Sequence, residues 1–178
     1  MQHNLPDGVK ISDLIKHVDP RGYFIEVFKQ KWIEELPLIQ WNVVRSKKNA
    51  LRGMRVHIKH YDYVIIFEGK AVYALRDLRQ GSPTQGLVSM VHIEGKHPQS
   101  VIIPPGVAHG FYFFKPSFYV YGVTEYYDKE DELGFYFADP DAGIKWPTSD
   151  PIVTERDVNL PPLKSIMSQM PTWHASST

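Results

Sequence analysis

Three short segments of this chain carry side chains able to do chemistry. The first is Leu51-Arg52-Gly53-Met54-Arg55-Val56-His57-Ile58-Lys59. Read as a strand, it sets Arg55, His57 and Lys59 on one face and Met54, Val56 and Ile58 on the other. Cationic groups gathered on one face are costly inside a barrel unless anions or water meet them. They read either as a site for an anionic ligand at an open barrel mouth or as the solvent side of a sheet. The second is Ile103–Phe111, where a Pro-Gly turn delivers His109 to the start of a strand between small residues that permit close approach. The plainer reading is a hydrogen-bonded structural histidine. The third is Tyr119–Tyr127, with tyrosines at 119, 121, 126 and 127. A phenol facing a pocket is a general acid, whereas one within a sheet only packs.

The histidines raise the question of a metal. Strand alternation puts His57 and His60 on opposite faces, and Glu68 stands before a turn glycine rather than at a ligand position. No three-ligand set converges in this reading, so neither a metal nor another cofactor is expected. The chain has no cysteine, which removes a disulfide scaffold, a thiolate zinc site and a cysteine nucleophile together. Neither GxSxG nor a phosphate-binding GxxxxGK[ST] occurs.

The elements that must position these residues are strands. Val9–Ile15 and Tyr23–Phe28 flank the turn Asp19-Pro20-Arg21-Gly22, and Lys29–Leu36 has the spacing of a short helix stopped by Pro37. From residue 50 to 137 the pattern is β: Gly53–Ile58, Tyr61–Phe67, Ala71–Arg76, Gly86–Ile93, Ser100–Ile103, Gly110–Phe114 and Phe118–Glu125, separated by Gly, Pro and Ser. Many short strands at this spacing predict an all-β antiparallel barrel or sandwich, the jelly roll among them. After residue 138 the chain reads as loop, and Lys164–Thr178 as a polar, mobile tail behind one domain spanning 1–163.

With 178 residues, 20 Lys+Arg against 20 Asp+Glu and 43% apolar content, the chain is a globular, uncharged protein with one core. Zero net charge gives no reason to expect nucleic acid or an anionic membrane as partner. No apolar run approaches the length of a membrane span, and the N-terminus lacks a signal-peptide profile, so a soluble, cytoplasmic protein is expected.

Taken in order, these segments are similar to the dTDP-4-dehydrorhamnose 3,5-epimerase family, a cupin-type jelly roll with short flanking helices. Asp19-Pro20-Arg21-Gly22-Tyr23-Phe24-Ile25-Glu26 resembles D-x-R-G-x-F-x-E, and Gln40-Trp41-Asn42 resembles Q-x-N. Leu51-Arg52-Gly53-Met54 matches L-R-G-[LM], Asp77–Thr84 matches D-x-R-x-x-S-P-T, and Ile103–Phe111 fits I-P-x-G-x-A-H-G-F. Asp139-Pro140, Ile144-Lys145-Trp146-Pro147 and Arg156-Asp157 complete the set.

The resemblance implies an isomerase acting on a nucleotide-linked (dTDP) 4-keto-6-deoxy sugar by proton abstraction next to the ketone, in deoxysugar or cell-surface polysaccharide (lipopolysaccharide) biosynthesis. It implies Arg21, Phe24, Glu26, Gln40, Asn42 and Arg52 around a dTDP-sugar, Tyr121 as the acid, Asp157 backing the base, and His109 as a second pocket histidine. The base position itself holds Arg55, which stays protonated. His57, on the same strand face about 6.5–7 Å further along, is then the candidate base, with Arg55 beside the substrate. The lysine expected before the next strand falls on Asp62. Alternatives are a catalytically silent sugar-nucleotide binder and a keto-isomerase. A homodimer is also implied, with strand-like Val9–Ile15 pairing at an open edge.

Overall fold

The computed structural model describes residues 4–34 and 36–174. Its strands are β1 (Lys10–Asp13), β2 (Lys16–Asp19), β3 (Gly22–Ile25), β4 (Gln40–Ser46), β5 (Leu51–Val56), β6 (Asp62–Glu68), β7 (Lys70–Asp77), β8 (Val88–Glu94), β9 (Gln99–Ile103), β10 (Val107–Phe113), β11 (Ser117–Val123) and β12 (Leu133–Gly134). Helix is confined to α1 (Glu155–Val158) and a few single 3-10 turns among the described residues.

Two five-stranded antiparallel sheets face each other, one ordered β1-β9-β6-β11-β4 and the other β12-β5-β10-β7-β8. This is the jelly roll expected from the sequence. The strands can be buried on both faces because their apolar runs are continuous. In β6, Val64 and Ile66 point between the sheets while Tyr63 and Ile65 pack outward under Leu14, Phe28 and Leu38. Between the sheets, Tyr73, Leu75, Val101, Ile103, Phe113 and Tyr119 close one end into a core. The opposite end stays open and becomes the cavity described below.

The structure departs from the sequence reading in several places. The expected helix over 29–36 is a single 3-10 turn, Gln30–Trp32. Strands β2, β4 and β12 were not anticipated. The first strand is shorter than expected, Lys10–Asp13, and pairs with β9 on one side while forming the edge of its sheet on the other. The segment after residue 138 is a cover rather than loose loop. Phe137, Ala142, Leu163, Ile166 and Met170 bury themselves with Met54, Val56 and Ala108 on the outer face of the second sheet. The tail is held through its described part, where Trp173 donates its indole N–H to Asp7 at 2.8 Å; residues 175–178 lie outside the described residues.

One irregularity matters for the site. Opposite β10, the pairs His109↔Arg55 and Phe111↔Arg52 bracket a register shift, so β5 carries an extra residue. Gly53 sits in this bulge with φ +116°, and a Cβ there would lie 2.8 Å from the Gly110 Cα. Glycine is therefore required both by backbone angle and by contact. The bulge turns Arg52 and Arg55, which strict alternation would separate, toward the same cavity.

A buried carboxylate fixes the far end of the second sheet. Asp77 accepts from Arg79 Nε at 2.9 Å, Ser82 Oγ at 2.6 Å and Thr84 Oγ1 at 2.6 Å. Burial pushes its carboxyl up, but these bonds together outweigh burial and hold it below the usual value. A carboxyl lowered on folding stabilises above its unfolded pKa near 3.9, and that stability fades as pH falls through the folded value. Asp77→Asn leaves the buried Arg79 guanidinium without a counter-charge, so urea unfolding at pH 7 should show a loss of about 3–5 kcal/mol. The deficit should narrow as the pH is taken below about 4. A loss independent of pH would contradict the electrostatic origin.

Candidate active site

A cavity of about 470 Å³ opens between the sheets. One wall, from β4, β6 and β11, supplies Gln40, Asn42, Asp62 and Tyr121. The facing wall, from β5 and β10, supplies Arg52, Arg55 and His109. His57 and His60 enter from the turn after β5, Glu132 and Asp157 from the segments that cap the mouth.

The alternation argument that separated His57 from His60 fails because β5 ends at Val56. Beyond it the chain turns, and the two imidazoles stack with centroids 4.0 Å apart. His109 stands 5.4 Å from His57 across the same cluster. The same turn carries Lys59 away from Arg55 and His57, to an exposed pair with Asp128 at 2.7 Å.

Asp131 makes the turn. Its carboxylate accepts from the backbone N–H groups of Ile58 at 2.7 Å and Lys59 at 3.2 Å, and meets His60 Nδ1 at 2.9 Å. Its main-chain oxygen lies 3.1 Å from His57 Nδ1. His109 Nδ1 likewise faces the Val107 carbonyl, at 3.5 Å. Carbonyls and carboxylates only accept, so in each ring the hydrogen sits on Nδ1 and the Nε2 lone pair points inward. All three Nε2 atoms converge on one oxygen of Asp62, at 3.9 Å from His57 and His109 and 4.0 Å from His60.

Burial sets the charge states. It pushes the Asp62 carboxyl up to about 7 and the His109 imidazole down to about 3. His57 and His60 are also lowered, chiefly by burial. The Tyr121 phenol is raised, first by burial and then by the charges of Asp62 and Glu132. At neutral pH the site thus holds neutral imidazoles facing a protonated phenol.

Arg55 is engaged elsewhere. It donates to Asp157 and lies 3.9 Å from Glu132. Asp157 is itself fixed by the start of α1, where Thr154 Oγ1 accepts its N–H at 3.2 Å. The expectation that Asp157 backs His57 is therefore corrected: Asp157 holds Arg55, and Asp131 holds His57. Arg52 donates to Ser46 Oγ at 2.9 Å and lines the cavity beside Asn42.

Of the residues singled out from the sequence, Gln40, Asn42, Arg52, Arg55, His57, His109, Tyr121 and Asp157 line this cavity. Arg21, Phe24 and Glu26 do not. Arg21 pairs with Asp19 on the β2–β3 hairpin, Phe24 is 62% exposed, and Glu26 pairs with Lys29 at 2.6 Å. Asp131 and Glu132 escaped the sequence reading, which weighs His60 only as a metal ligand and sets it aside. The acidic run Asp128–Glu132 looks like a solvated face, and only its folding back onto the β5 turn gives two of its members a role. His57, His60 and Asp62 offer ligand atoms lying within 4.8 Å of one another, the set best able to hold a metal among the described residues.

Comparison with known proteins adds a second line. The profile of the family described as dTDP-4-dehydrorhamnose 3,5-epimerase matches residues 4–165. The chain is 33% identical over 168 residues to the dTDP-4-dehydrorhamnose 3,5-epimerase of Methanothermobacter thermautotrophicus, covering 89% of this chain and 91% of that one. In structure it resembles the dTDP-6-deoxy-D-glucose-3,5-epimerase of Legionella pneumophila in complex with dTDP-4-keto-L-rhamnose, with TM-score 0.88, 29% identity, and 98% and 100% of the two chains covered. It also resembles a 3'-monoepimerase of Streptomyces bikiniensis in complex with dTDP-quinovose, with TM-score 0.87, 27% identity, and 97% and 93% covered.

The Arg55–Asp157 pair is largely shielded, with side chains 17% and 5% exposed. Asp157→Ala should therefore cost about 3 kcal/mol in denaturant unfolding, because it leaves the guanidinium only the more distant Glu132, at 3.9 Å. A loss under about 1 kcal/mol would mean that the pair behaves as a solvated surface bridge.

Proposed function

The chain belongs to the dTDP-4-dehydrorhamnose 3,5-epimerase family, and from that premise we propose that it is an isomerase of a dTDP-linked 4-keto-6-deoxy sugar in deoxysugar biosynthesis. The observation that carries the reading is the placing of His57 and Tyr121 on facing sides of one cavity, beside the cationic Arg52 and Arg55.

The chemistry is enolisation next to the C4 ketone. His57 Nε2 accepts the proton from the carbon, the C–H pair becomes the enol double bond, and the carbonyl pair moves onto oxygen. Tyr121 returns a proton to the carbon from the opposite side, and solvent exchange resets both groups. Arg52, Asn42 and Gln40 are proposed to hold the nucleotide diphosphate and sugar, and Arg55, anchored by Asp157, to donate to the enolate oxygen. His109, 5.4 Å from His57 and lowered to about 3 by burial, adds a neutral imidazole to the same wall. With an arginine at the family's base position and an aspartate in place of the lysine, we assign proton removal to the inward lone pair of His57, which lines the cavity.

A homodimer belongs to the same proposal. The hairpin β2–β3 forms a two-stranded sheet of its own, with Val18 75% and Phe24 62% exposed, and Val43 on the edge strand β4 is 67% exposed. A second copy covering these residues would bring Arg21, Phe24 and Glu26 toward a cavity they do not reach in their own chain. A cytoplasmic location is proposed with it; among the described residues no helix is long and apolar enough to cross a membrane.

Solvent exchange tests the chemistry. In D₂O with dTDP-4-keto-6-deoxyglucose, NMR should show deuterium entering at C3, C5 or both. His57→Asn and Tyr121→Phe should each slow it by at least about 10²-fold. The rate should fall as pH drops through the lowered His57 pKa and hold on the alkaline side, where the raised Tyr121 keeps its proton. Binding without exchange would make the chain a silent sugar-nucleotide binder instead, and a product with the ketone moved to C3 would make it a keto-isomerase. Light scattering at micromolar concentration should give twice the chain mass of 20.5 kDa; a monomer would remove the hairpin's part in the site.

A further inference from the structure

The geometry points to a binding site for one divalent transition-metal cation at the floor of the cavity, held by His57, His60 and Asp62, with His109 Nε2 standing 3.9 Å from the same Asp62 oxygen. The three Nδ1–H groups are tied outward, to the Asp131 carboxylate, the Asp131 carbonyl and the Val107 carbonyl. Outer acceptors of this kind orient metal-binding imidazoles and fix their tautomer. The three Nε2 lone pairs then aim at one Asp62 oxygen from 3.9–4.0 Å. That spacing is too long for a hydrogen bond, and among the described residues no donor serves the Asp62 carboxylate. Lone pairs and a carboxylate facing one another in a buried pocket repel unless positive charge, a proton or a metal cation, lies between them.

A cation supplies it. Bonds of about 2.0–2.1 Å place the donor atoms of a tetrahedral site about 3.4 Å apart, so His57, His60 and Asp62, whose ligand atoms lie within 4.8 Å of one another, draw together on loading. Two imidazoles and a carboxylate suit Zn²⁺, Fe²⁺, Co²⁺ or Ni²⁺ and give little to the hard Mg²⁺. The cluster shares its cavity with Tyr121. One lone pair cannot hold a cation and accept a carbon proton together, so the loaded cavity and the proton-accepting cavity are distinct states of the protein.

The inference goes beyond the proposed function, and its test uses no sugar nucleotide. Untagged full-length protein is stripped with a chelator and titrated with Co²⁺, reading the visible d–d absorption, with elemental analysis for stoichiometry. The expected result is about one equivalent per chain, displaced by Zn²⁺, and lost in both Asp62→Asn and His60→Gln while circular dichroism shows the fold retained. No absorption in the wild-type protein would overturn the proposal. So would equal binding by both variants, which would put the cation on surface histidines. Either failure leaves the isomerase reading standing, and a failed deuterium exchange leaves the cation site standing.

Discussion

The cavity depends on Asp131. A polar cluster of three imidazoles and a carboxylate cannot sit between two sheets unless each inward lone pair is balanced by an outward hydrogen bond. Asp131 supplies that balance for two of the three rings, and with the same carboxylate caps the backbone where β5 ends. Without it the turn would have two unpaired N–H groups, and the stacked rings of His57 and His60 would be free to rotate. The site is thus set by a residue that does not face the cavity.

A second constraint comes from the arginines. The bulge at Gly53 brings Arg52 and Arg55 to one wall, and a guanidinium in a half-dry cavity requires a counter-charge. Asp157 and Glu132 provide it for Arg55 from the capping segments. The segment after β12 therefore has two duties. Its apolar residues seal the outer face of the second sheet, and its Asp157 holds Arg55. With Arg55 bound this way and His57 anchored separately, cation and imidazole act as independent groups rather than as a relay.

Much of this was legible in the sequence. The β content followed from β-branched and aromatic runs such as Tyr63–Phe67, and eight of the residues taken from motifs line the cavity. What the sequence hid came from places where a local period ends. Alternation predicted opposite faces for His57 and His60, but it holds only within a strand, and Val56 is the last strand residue. Arg52 and Arg55 share a cavity only because of a bulge. The acids at 131 and 132 gain meaning from contacts over about 75 positions, which no window of the sequence contains. Arg21, Phe24 and Glu26 fit their motif yet sit away from the cavity, as expected where a site is completed by a second chain.

The account stands or falls on the direction of three lone pairs. Long-range ¹H–¹⁵N NMR of the imidazoles of His57, His60 and His109 in chelator-treated protein at pH 7 reads it directly. All three should be neutral with the hydrogen on Nδ1, leaving Nε2 bare toward Asp62. A ring that carries its hydrogen on Nε2, or that is charged at this pH, would contradict the cluster as described.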